Sequence, residues 1–172
     1  MTKDQRIVAL GASSGVASML AAMFAIYHLW PVPAGLVDAG DRIAFALKGL
    51  AFAVLPLVFM IVAVGNERFL SEAIDPTLGK DSSRMEINGR VTENTMQQFV
   101  LFAVALLALA ASVPAEQMRI VPAAVIVFVV ARTAFWIGYR IHPLYRAFGF
   151  ASTLYLNAGL LVYALWRCLA SG

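Results

Sequence analysis

One arginine in this chain occupies a position where a charge is costly. Arg132 follows a continuous apolar run, residues 120–131, in a segment long enough to cross a membrane. A guanidinium at membrane depth costs at least about 2.5 to 3.5 kcal/mol, so a residue kept there is a candidate functional residue. Its planar fork of donors suits a carboxylate or another oxygen anion, and Arg132 therefore indicates anion recognition.

Further hydrogen-bonding groups are expected at the same depth as Arg132. Arg90, Asn94 and Gln97 fall at positions i, i+4 and i+7, so they share one helix face. Arg132 and Tyr139, seven residues apart, share a face of another helix. This layer has almost no carboxylates, which favours a small anion that presents carboxylates to guanidinium groups. Its six predicted members are Arg90, Asn94, Gln97, Arg132, Tyr139 and Arg146.

Aromatic side chains near this layer predict apolar walls and a second, lipophilic partner that arrives through the bilayer. A purely structural role for Arg132 stays open, either in an ion pair or in capping carbonyl groups inside the bundle. Glu93 is the carboxylate nearest to Arg132 in depth. The predicted wall residues are Phe99, Phe102, Phe135 and Trp136.

Several other kinds of site are disfavoured by the residues present. The two histidines, His28 and His142, are expected on opposite sides of the membrane and form no metal set, and no grouping of serine, histidine and aspartate occurs. The net charge of +3 is not gathered into a run, so it does not indicate nucleic-acid binding. The single cysteine, Cys168, excludes an intrachain disulfide.

Composition identifies the elements that must position these groups. The 172 residues are 61% hydrophobic and 13% charged, with a mean hydropathy of +0.79, whereas soluble domains carry about 25% charged residues. A helix needs about 20 apolar residues to cross a membrane. We therefore predict an all-α integral membrane protein, a single domain over residues 1–172. Five helices are expected at about 7–30, 43–65, 90–113, 118–141 and 148–166, with a cytoplasmic loop at 66–89.

The distribution of basic residues predicts the orientation of these helices. Eight basic residues lie at the ends that share the side of the N-terminus, and four lie at the opposite ends. The positive-inside rule then places the N-terminus in the cytoplasm. We expect the membrane to be a bacterial inner membrane. The eight are Lys3, Arg6, Arg68, Lys80, Arg84, Arg90, Arg140 and Arg146; the four are Arg42, Lys48, Arg119 and Arg167.

Two local patterns predict how particular helices pack. The stretch LGASSGVASML, residues 10–20, resembles the glycine turn of nucleotide-binding proteins, but no βαβ unit or Tyr-x-x-x-Lys pair accompanies it. Pro56, near the middle of the second helix, predicts a kink. We interpret the glycine-rich stretch instead as a small-residue face that allows close helix packing. That face comprises Gly11, Ser14, Gly15 and Ser18.

The spacing of the candidate residues resembles that of the MAPEG family, the membrane-associated proteins of eicosanoid and glutathione metabolism. The two motifs are Arg90-x-x-x-Asn94-x-x-Gln97 and Arg132-x-x-Phe135-x-x-Gly138-Tyr139, followed by Arg146. The likeness covers the family's four helices, about residues 43–166. It implies a four-helix MAPEG-like bundle with one additional N-terminal transmembrane helix, of bacterial type, assembled as a homotrimer that binds glutathione between neighbouring subunits.

The resemblance also implies a role for each matching residue. Arg90 and Asn94 resemble residues that hold the carboxylate and backbone ends of glutathione. Gln97 stands where the enzymes usually have a glutamate for the γ-glutamyl amine. Tyr139 matches a tyrosine that lines the site, and Arg132 matches an arginine of the same helix. Arg146 resembles the catalytic arginine that stabilises the thiolate.

The expected function is therefore that of a glutathione-dependent transferase or peroxidase acting on lipophilic electrophiles, with glutathione as co-substrate. A non-catalytic lipid-binding or scaffold protein remains the alternative, because Gln97, Phe135 and Phe150 replace polar or acidic residues common in the enzymes. A transporter is disfavoured because the sequence has no inverted repeat and no pair of interrupted helices.

Overall fold

The computed structural model describes residues 1–170, so the last two residues of the predicted domain 1–172 lie outside it. Helices and short connections account for this whole described range. The helices are α1 (Lys3–Leu29), α2 (Ala39–Ala53), α3 (Leu55–Phe69), α4 (Ser83–Ser112), α5 (Ile120–Ile141) and α6 (Arg146–Ala170). Because α2 and α3 together form one span, five spans are long and apolar enough to cross a membrane. The predicted all-α membrane bundle is confirmed.

The connection predicted at 66–89 is shorter than expected, because α3 continues to Phe69 and α4 already begins at Ser83. Ser82 starts α4 early: its hydroxyl accepts a hydrogen bond from the Met85 N–H at 3.2 Å. Glu86 in the first turn of α4 adds a favourable interaction with the helix dipole. The 70–82 connection and the turn at 142–145 lie at the same end of the bundle, called the polar end below.

The predicted kink at Pro56 is confirmed. The helix is interrupted at Val54, and α3 restarts with Pro56 in its first turn. Proline has no N–H to donate to the preceding turn, and its ring displaces the carbonyl four residues earlier. The span 39–69 therefore bends near its middle.

A tight crossing of α5 and α6 depends on Gly149. A Cβ atom at this position would collide with the carbonyl oxygen of Ala131 and the amide nitrogen of Phe135, both of them backbone atoms of α5. Because backbone atoms cannot rotate away as a flexible side chain can, a larger residue must push the two helices apart.

We expect Gly149→Ala to lower the free energy of unfolding by about 3 kcal/mol through this overpacking. The matched control is Gly159→Ala on the same helix, where nothing lies within 4 Å of the added Cβ. That control should be neutral or slightly stabilising, because alanine favours the helix. Thermal unfolding of the two purified variants measures the difference, and equal transition temperatures would contradict this view of the crossing.

Two of the aromatic residues expected to line a ligand site belong instead to the apolar core. Phe102 is fully buried and stacks on Phe128 with a ring-centroid distance of 4.4 Å. Phe99 packs against the edge of the same Phe128 ring. Both lie well along α4 from the polar end, in an apolar core to which α1, α2, α4, α5 and α6 contribute aliphatic and aromatic side chains.

Trp136, a third expected wall residue, belongs to a polar tie between α3, α4 and α5. Glu67 accepts hydrogen bonds from Arg84 Nε at 2.6 Å and from Asn88 Nδ2 at 2.8 Å. The side-chain oxygen of Asn88 in turn accepts from Trp136 Nε1 at 2.9 Å. Asn88 is fully buried, so this chain of hydrogen bonds satisfies a polar group that would otherwise destabilise the bundle.

Candidate functional site

Arg132 is a fully buried hub that joins α4, α5 and α6. It is 0% exposed and makes four hydrogen bonds to side chains of the neighbouring helices. On α4, Thr95 Oγ1 accepts from Nη2 at 2.6 Å and from Nε at 3.2 Å, while Asn94 Oδ1 accepts from Nη2 at 3.1 Å. On α6, Thr153 Oγ1 accepts from Nη1 at 3.1 Å. One guanidinium therefore connects three helices at one level.

The two threonines are oriented to accept from a guanidinium. The Thr95 hydroxyl donates its proton to the carbonyl oxygen of Val91 at 2.7 Å, and the Thr153 hydroxyl donates to that of Gly149 at 2.7 Å. With its proton used within its own helix, each hydroxyl presents a lone pair to Arg132, which has only donors. The hub is thus satisfied without an unpaired buried donor on either threonine.

Arg132 has no carboxylate partner within the described residues, unlike the ion pair with Glu93 left open above. Glu93 is exposed on the outer face of α4. The guanidinium instead donates to side-chain oxygens of α4 and α6, and its carbon lies 4.1 Å from the ring centroid of Phe135. A cation over an aromatic face is favourable, and more so when both groups are removed from water.

Asn94 accepts a hydrogen bond from Arg132 and also lines a cavity that is described below. Because Arg132 can only donate, the atom of Asn94 facing it is the amide oxygen. The Nδ2 donor of Asn94 then points away from the hub and makes no hydrogen bond within residues 1–170. Arg132 therefore orients an amide donor for a ligand without lining the cavity itself.

A second polar pair lies at the polar end, where α5 turns into α6. Arg146 Nη1 donates to the Tyr139 hydroxyl oxygen at 2.9 Å, and the guanidinium carbon lies 5.1 Å from the Tyr139 ring centroid. The turn between them is held by His142, whose Nδ1 accepts from the Leu144 N–H at 3.2 Å. Since the Tyr139 oxygen accepts from Arg146, its own O–H proton is free to be donated to a ligand.

These groups border a cavity of about 530 Å³ between α1, α4, α5 and α6. Its polar side is formed by two arginines, an amide and the phenol of Tyr139; a second tyrosine, Tyr155, also lines it, and the remainder is largely apolar. No aspartate or glutamate lines it among the described residues. The lining residues are Val8, Ala12, Arg90, Asn94, Phe135, Tyr139, Leu144, Arg146, Ala147, Phe150, Ala151, Leu154 and Tyr155.

Four of the six residues predicted to share a layer therefore border one cavity: Arg90, Asn94, Tyr139 and Arg146. Gln97 does not. Its side chain is exposed on the outside of α4, whereas the next residue, Gln98, is buried.

Gln98 forms part of a separate contact between α4 and α6. Asn157 Nδ2 donates to the Gln98 side-chain oxygen at 2.8 Å and to its carbonyl oxygen at 2.9 Å. An amide at this depth in a membrane-spanning helix commonly forms a hydrogen bond to another helix, and Asn157 does so. The amide that α4 buries at this depth is thus Gln98, which ties two helices together, and Gln97 is left on the outer surface.

Some residues of the site are not evident from sequence patterns. Thr95 and Thr153, the hub acceptors, differ little from any membrane threonine that bonds back to its own helix. The available signal was the depth of each hydroxyl, which matches that of Arg132. Val8 and Ala12 bring α1 into the lining, and no sequence pattern indicates which helix α1 would contact.

The arrangement can bind an anion and place a nucleophile beside an apolar surface. Arg90 and Arg146 supply full positive charges at the polar end, although Arg90 also lies 4.0 Å from Glu86 on its own helix. Guanidinium groups recognise carboxylates and stabilise thiolates. The described residues contain no cluster of three histidine, cysteine or acidic side chains that could hold a metal ion.

Comparison with known proteins identifies a family and two relatives. The model of the MAPEG family matches residues 46–166. Transmembrane protein 79 of Mus musculus is 24% identical over 159 residues, which cover 88% of this chain and 40% of that protein. Transmembrane protein 79 of Bos taurus is 25% identical over 159 residues, which cover 91% of this chain and 39% of that protein.

The chain thus spans about two fifths of the length of these curated relatives. No solved structure matches it. Because both relatives are mammalian, the bacterial type and bacterial inner membrane expected from the sequence stay predictions. The matched residues begin within α2, so α1 precedes the part of the chain that the family model covers.

Proposed function

This chain belongs to the MAPEG family, and from that premise we propose that it binds glutathione in the cavity and transfers it to lipophilic electrophiles. The observation that carries the proposal is the cationic side of the cavity, formed by Arg90 and Arg146, directly beside apolar lining without any acidic residue. A tripeptide with two carboxylates and a thiol fits the first surface, and a membrane-soluble electrophile fits the second.

The carboxylates of glutathione would be held on the α4 side of the cavity. Arg90 offers a guanidinium fork and Asn94 offers its Nδ2 donor, which the hydrogen bond from Arg132 leaves directed away from the hub. A bidentate guanidinium contact with a carboxylate fixes orientation as well as affinity. Arg132 acts in this scheme as a positioning residue, because Asn94 stands between it and the ligand.

The thiol would lie at the pair formed by Arg146 and Tyr139. A free cysteine thiol has a pKa of about 8.5, and a nearby guanidinium lowers that pKa so that the nucleophilic thiolate is present at neutral pH. The proton leaves to water. The thiolate sulfur then forms a bond to an electrophilic carbon of the substrate as the leaving group departs with its bonding electrons. With a lipid hydroperoxide, the thiolate sulfur would instead bond to the terminal peroxide oxygen as the O–O bond breaks. The lipid alkoxide leaves and takes up a proton from water, and a second glutathione reduces the resulting sulfenic acid to glutathione disulfide and water.

Assembly as a homotrimer is part of this proposal, with the glutathione cavity lined by residues of one chain and not, as the resemblance implied, placed between neighbouring subunits. Glu93 and Gln97 are exposed on α4 about 15 Å and 21 Å from its first residue, well into a membrane-spanning helix. Polar groups that face lipid at depth are unfavourable, which supports coverage of this face by a neighbouring subunit. We further propose that the polar end faces the cytoplasm, where glutathione would enter.

Calorimetric titration of the detergent-purified protein with glutathione tests this function. We expect saturable heat at millimolar glutathione or below, and turnover of a chlorinated aromatic electrophile with release of chloride. Size-exclusion chromatography with light scattering supplies the control that the protein is a folded trimer. If a folded trimer gives no heat at millimolar glutathione, the proposal is wrong.

A non-catalytic lipid-binding or scaffold protein is the second candidate, and one structural observation favours it. The cavity offers no carboxylate for the amine of glutathione, because its lining contains no acidic residue and Gln97 lies outside it. Phe135 and Phe150 also give it an aromatic lining suited to an acyl chain. Lipid that co-purifies with the protein, without turnover of the electrophile, would support this candidate over the enzyme.

A further inference from the structure

The first helix, which precedes the part of the chain that matches the family, packs closely along α6. A Cβ atom at Gly15 would lie 2.9 Å from Ser152 Oγ and would collide with the carbonyl oxygen of Phe148. The absence of a side chain at Gly15 lets the Ser152 hydroxyl donate to the Gly15 carbonyl oxygen at 2.9 Å. At Gly11, the nearest side-chain atom to an added Cβ is that of Ala147, at 3.3 Å. These two close approaches, one helical turn apart, hold α1 against α6.

This contact places one edge of α1 on the cavity. Val8 and Ala12 lie one turn apart and adjacent to the glycine face, and both line the cavity. Across from them, Ala147 and Ala151 of α6 lie one turn apart. Small side chains on both helices therefore leave open space between α1 and α6 where larger residues would fill it.

The lining of the cavity extends along α6 for more than two helical turns. Its lining residues on this helix run from Arg146 to Tyr155, a rise of about 13 Å. The arginine stands at the polar end of this strip, and Leu154 stands near the other end. A molecule that follows the strip would have its polar or reacting end near Arg146 and an apolar chain passing α1.

We propose that α1 is the specificity-determining wall of the cavity, where Val8 and Ala12 contact the apolar group of the co-substrate and restrict it to an elongated, unbranched chain. This inference rests on the proposed function for the chemistry at the polar end. The placement of the wall depends only on the packing of α1 against α6. Branched or fused-ring groups would meet the Val8 side chain and the backbone of α1, which the glycine contacts prevent from moving aside.

Substitution of Ala12 tests the wall. In Ala12→Phe, a ring fills the space between α1 and α6, and we expect the affinity for an unbranched alkyl probe to fall about tenfold or more. The matched control is Ala17→Phe, which makes the same change at an exposed position of α1 outside the cavity. In that control the affinity for the alkyl probe should stay at the wild-type value.

The measurement is saturable photolabelling of the protein in lipid nanodiscs. The probe is an unbranched alkyl chain that carries a diazirine, and labelled peptides from α1 and α6 are quantified by mass spectrometry at increasing probe concentration. A branched isomer of the probe is compared in the wild type and in Val8→Ala. Val8→Ala enlarges the cavity without adding a clash, so it should increase labelling by the branched isomer.

The outcomes separate this inference from the proposed function. The proposal that α1 forms the specificity-determining wall would be overturned by equal labelling of Ala12→Phe and Ala17→Phe. Equal saturation of the wild type by the branched and unbranched probes would overturn it too. Should Ala12→Phe not fold, an unchanged preference in Val8→Ala would overturn it as well. If labelling depends on Ala12 but the protein does not bind glutathione, the proposed role of α1 is supported and the proposed transferase function is rejected.

Discussion

Replacement of Arg146 by alanine is expected to reduce glutathione-dependent turnover about 25-fold at pH 7 and about 75-fold at pH 6. These values follow if Arg146 lowers the thiol pKa by about two units from about 8.5, a difference of about 2.7 kcal/mol. In the variant the thiol keeps its ordinary pKa, and only a small fraction is ionised at neutral pH. The loss should disappear near pH 9, where both proteins hold an ionised thiol.

The sign of this pH dependence distinguishes an electrostatic role from a structural one. Activity of Arg146→Ala should rise with pH through the ordinary thiol range, whereas a misfolded variant would stay inactive at every pH. Arg140→Ala is the matched control. It removes the same charge from the polar end, but Arg140 packs over the ring of Trp136 and does not line the cavity.

Initial rates from pH 6 to 9 with a chlorinated aromatic electrophile give both profiles, and calorimetry gives the glutathione affinity of each variant. Parallel pH profiles for Arg146→Ala and the wild type would show that Arg146 does not stabilise the thiolate. Arg146→Lys should fall between the two, because an ammonium supplies the charge but not the planar fork that reaches the Tyr139 oxygen.

Arg132→Leu is expected to weaken glutathione binding by about 10- to 100-fold and to reduce the yield of assembled protein. Asn94 Oδ1 loses its partner, so the amide is no longer oriented towards the cavity. One hydrogen bond to a charged group contributes about 1.5 to 3 kcal/mol, and each 1.4 kcal/mol is a tenfold change in affinity. Loss of the hydrogen bonds to Thr95 and Thr153 also weakens the attachment of α5 to α4 and α6.

Arg132→Lys separates charge from geometry at the same position. A single ammonium cannot reach Thr95 and Asn94 on α4 and Thr153 on α6 at once, so we expect weakened binding despite the retained charge. Arg140→Leu serves as the control, since it removes an exposed arginine from the same helix. Light scattering measures assembly and calorimetry measures affinity. Wild-type oligomer content together with wild-type glutathione affinity in Arg132→Leu would contradict the positioning role.

Much of the architecture could be predicted because its causes are local. A span of apolar residues long enough to cross a bilayer satisfies its backbone hydrogen bonds only as a helix, so composition and segment length identified the five spans. Pro56 interrupts its helix wherever that helix packs, since the missing N–H belongs to the residue itself. The helix ends were less predictable. Because Ser82 caps it, α4 begins at Ser83, about two turns before the expected start at Arg90.

Within the candidate site, the sequence indicated the kinds of residue but not all of their neighbours. Consecutive helix residues differ by about 100° around the axis, so the rotation of α4 decides whether Gln97 or Gln98 faces inward. Packing turned Gln98 towards Asn157 and left Gln97 exposed. The same packing put Phe102 into the core, whereas depth alone had suggested that it lined the ligand site.

Arg132 could be recognised from the sequence as a polar centre, whereas its hydrogen-bond partners could not. Its cost at membrane depth is a property of the residue and its flanking segment, so the chain alone marked it as a polar centre. Its partners could not be deduced that way, because Thr95, Asn94 and Thr153 come from two other helices whose rotation and separation depend on every contact between them. The place of α1 is likewise a result of packing. Its glycines allowed close approach to some helix, and the fit of Gly15 against Phe148 and Ser152 selected α6 and brought Ala12 to the cavity.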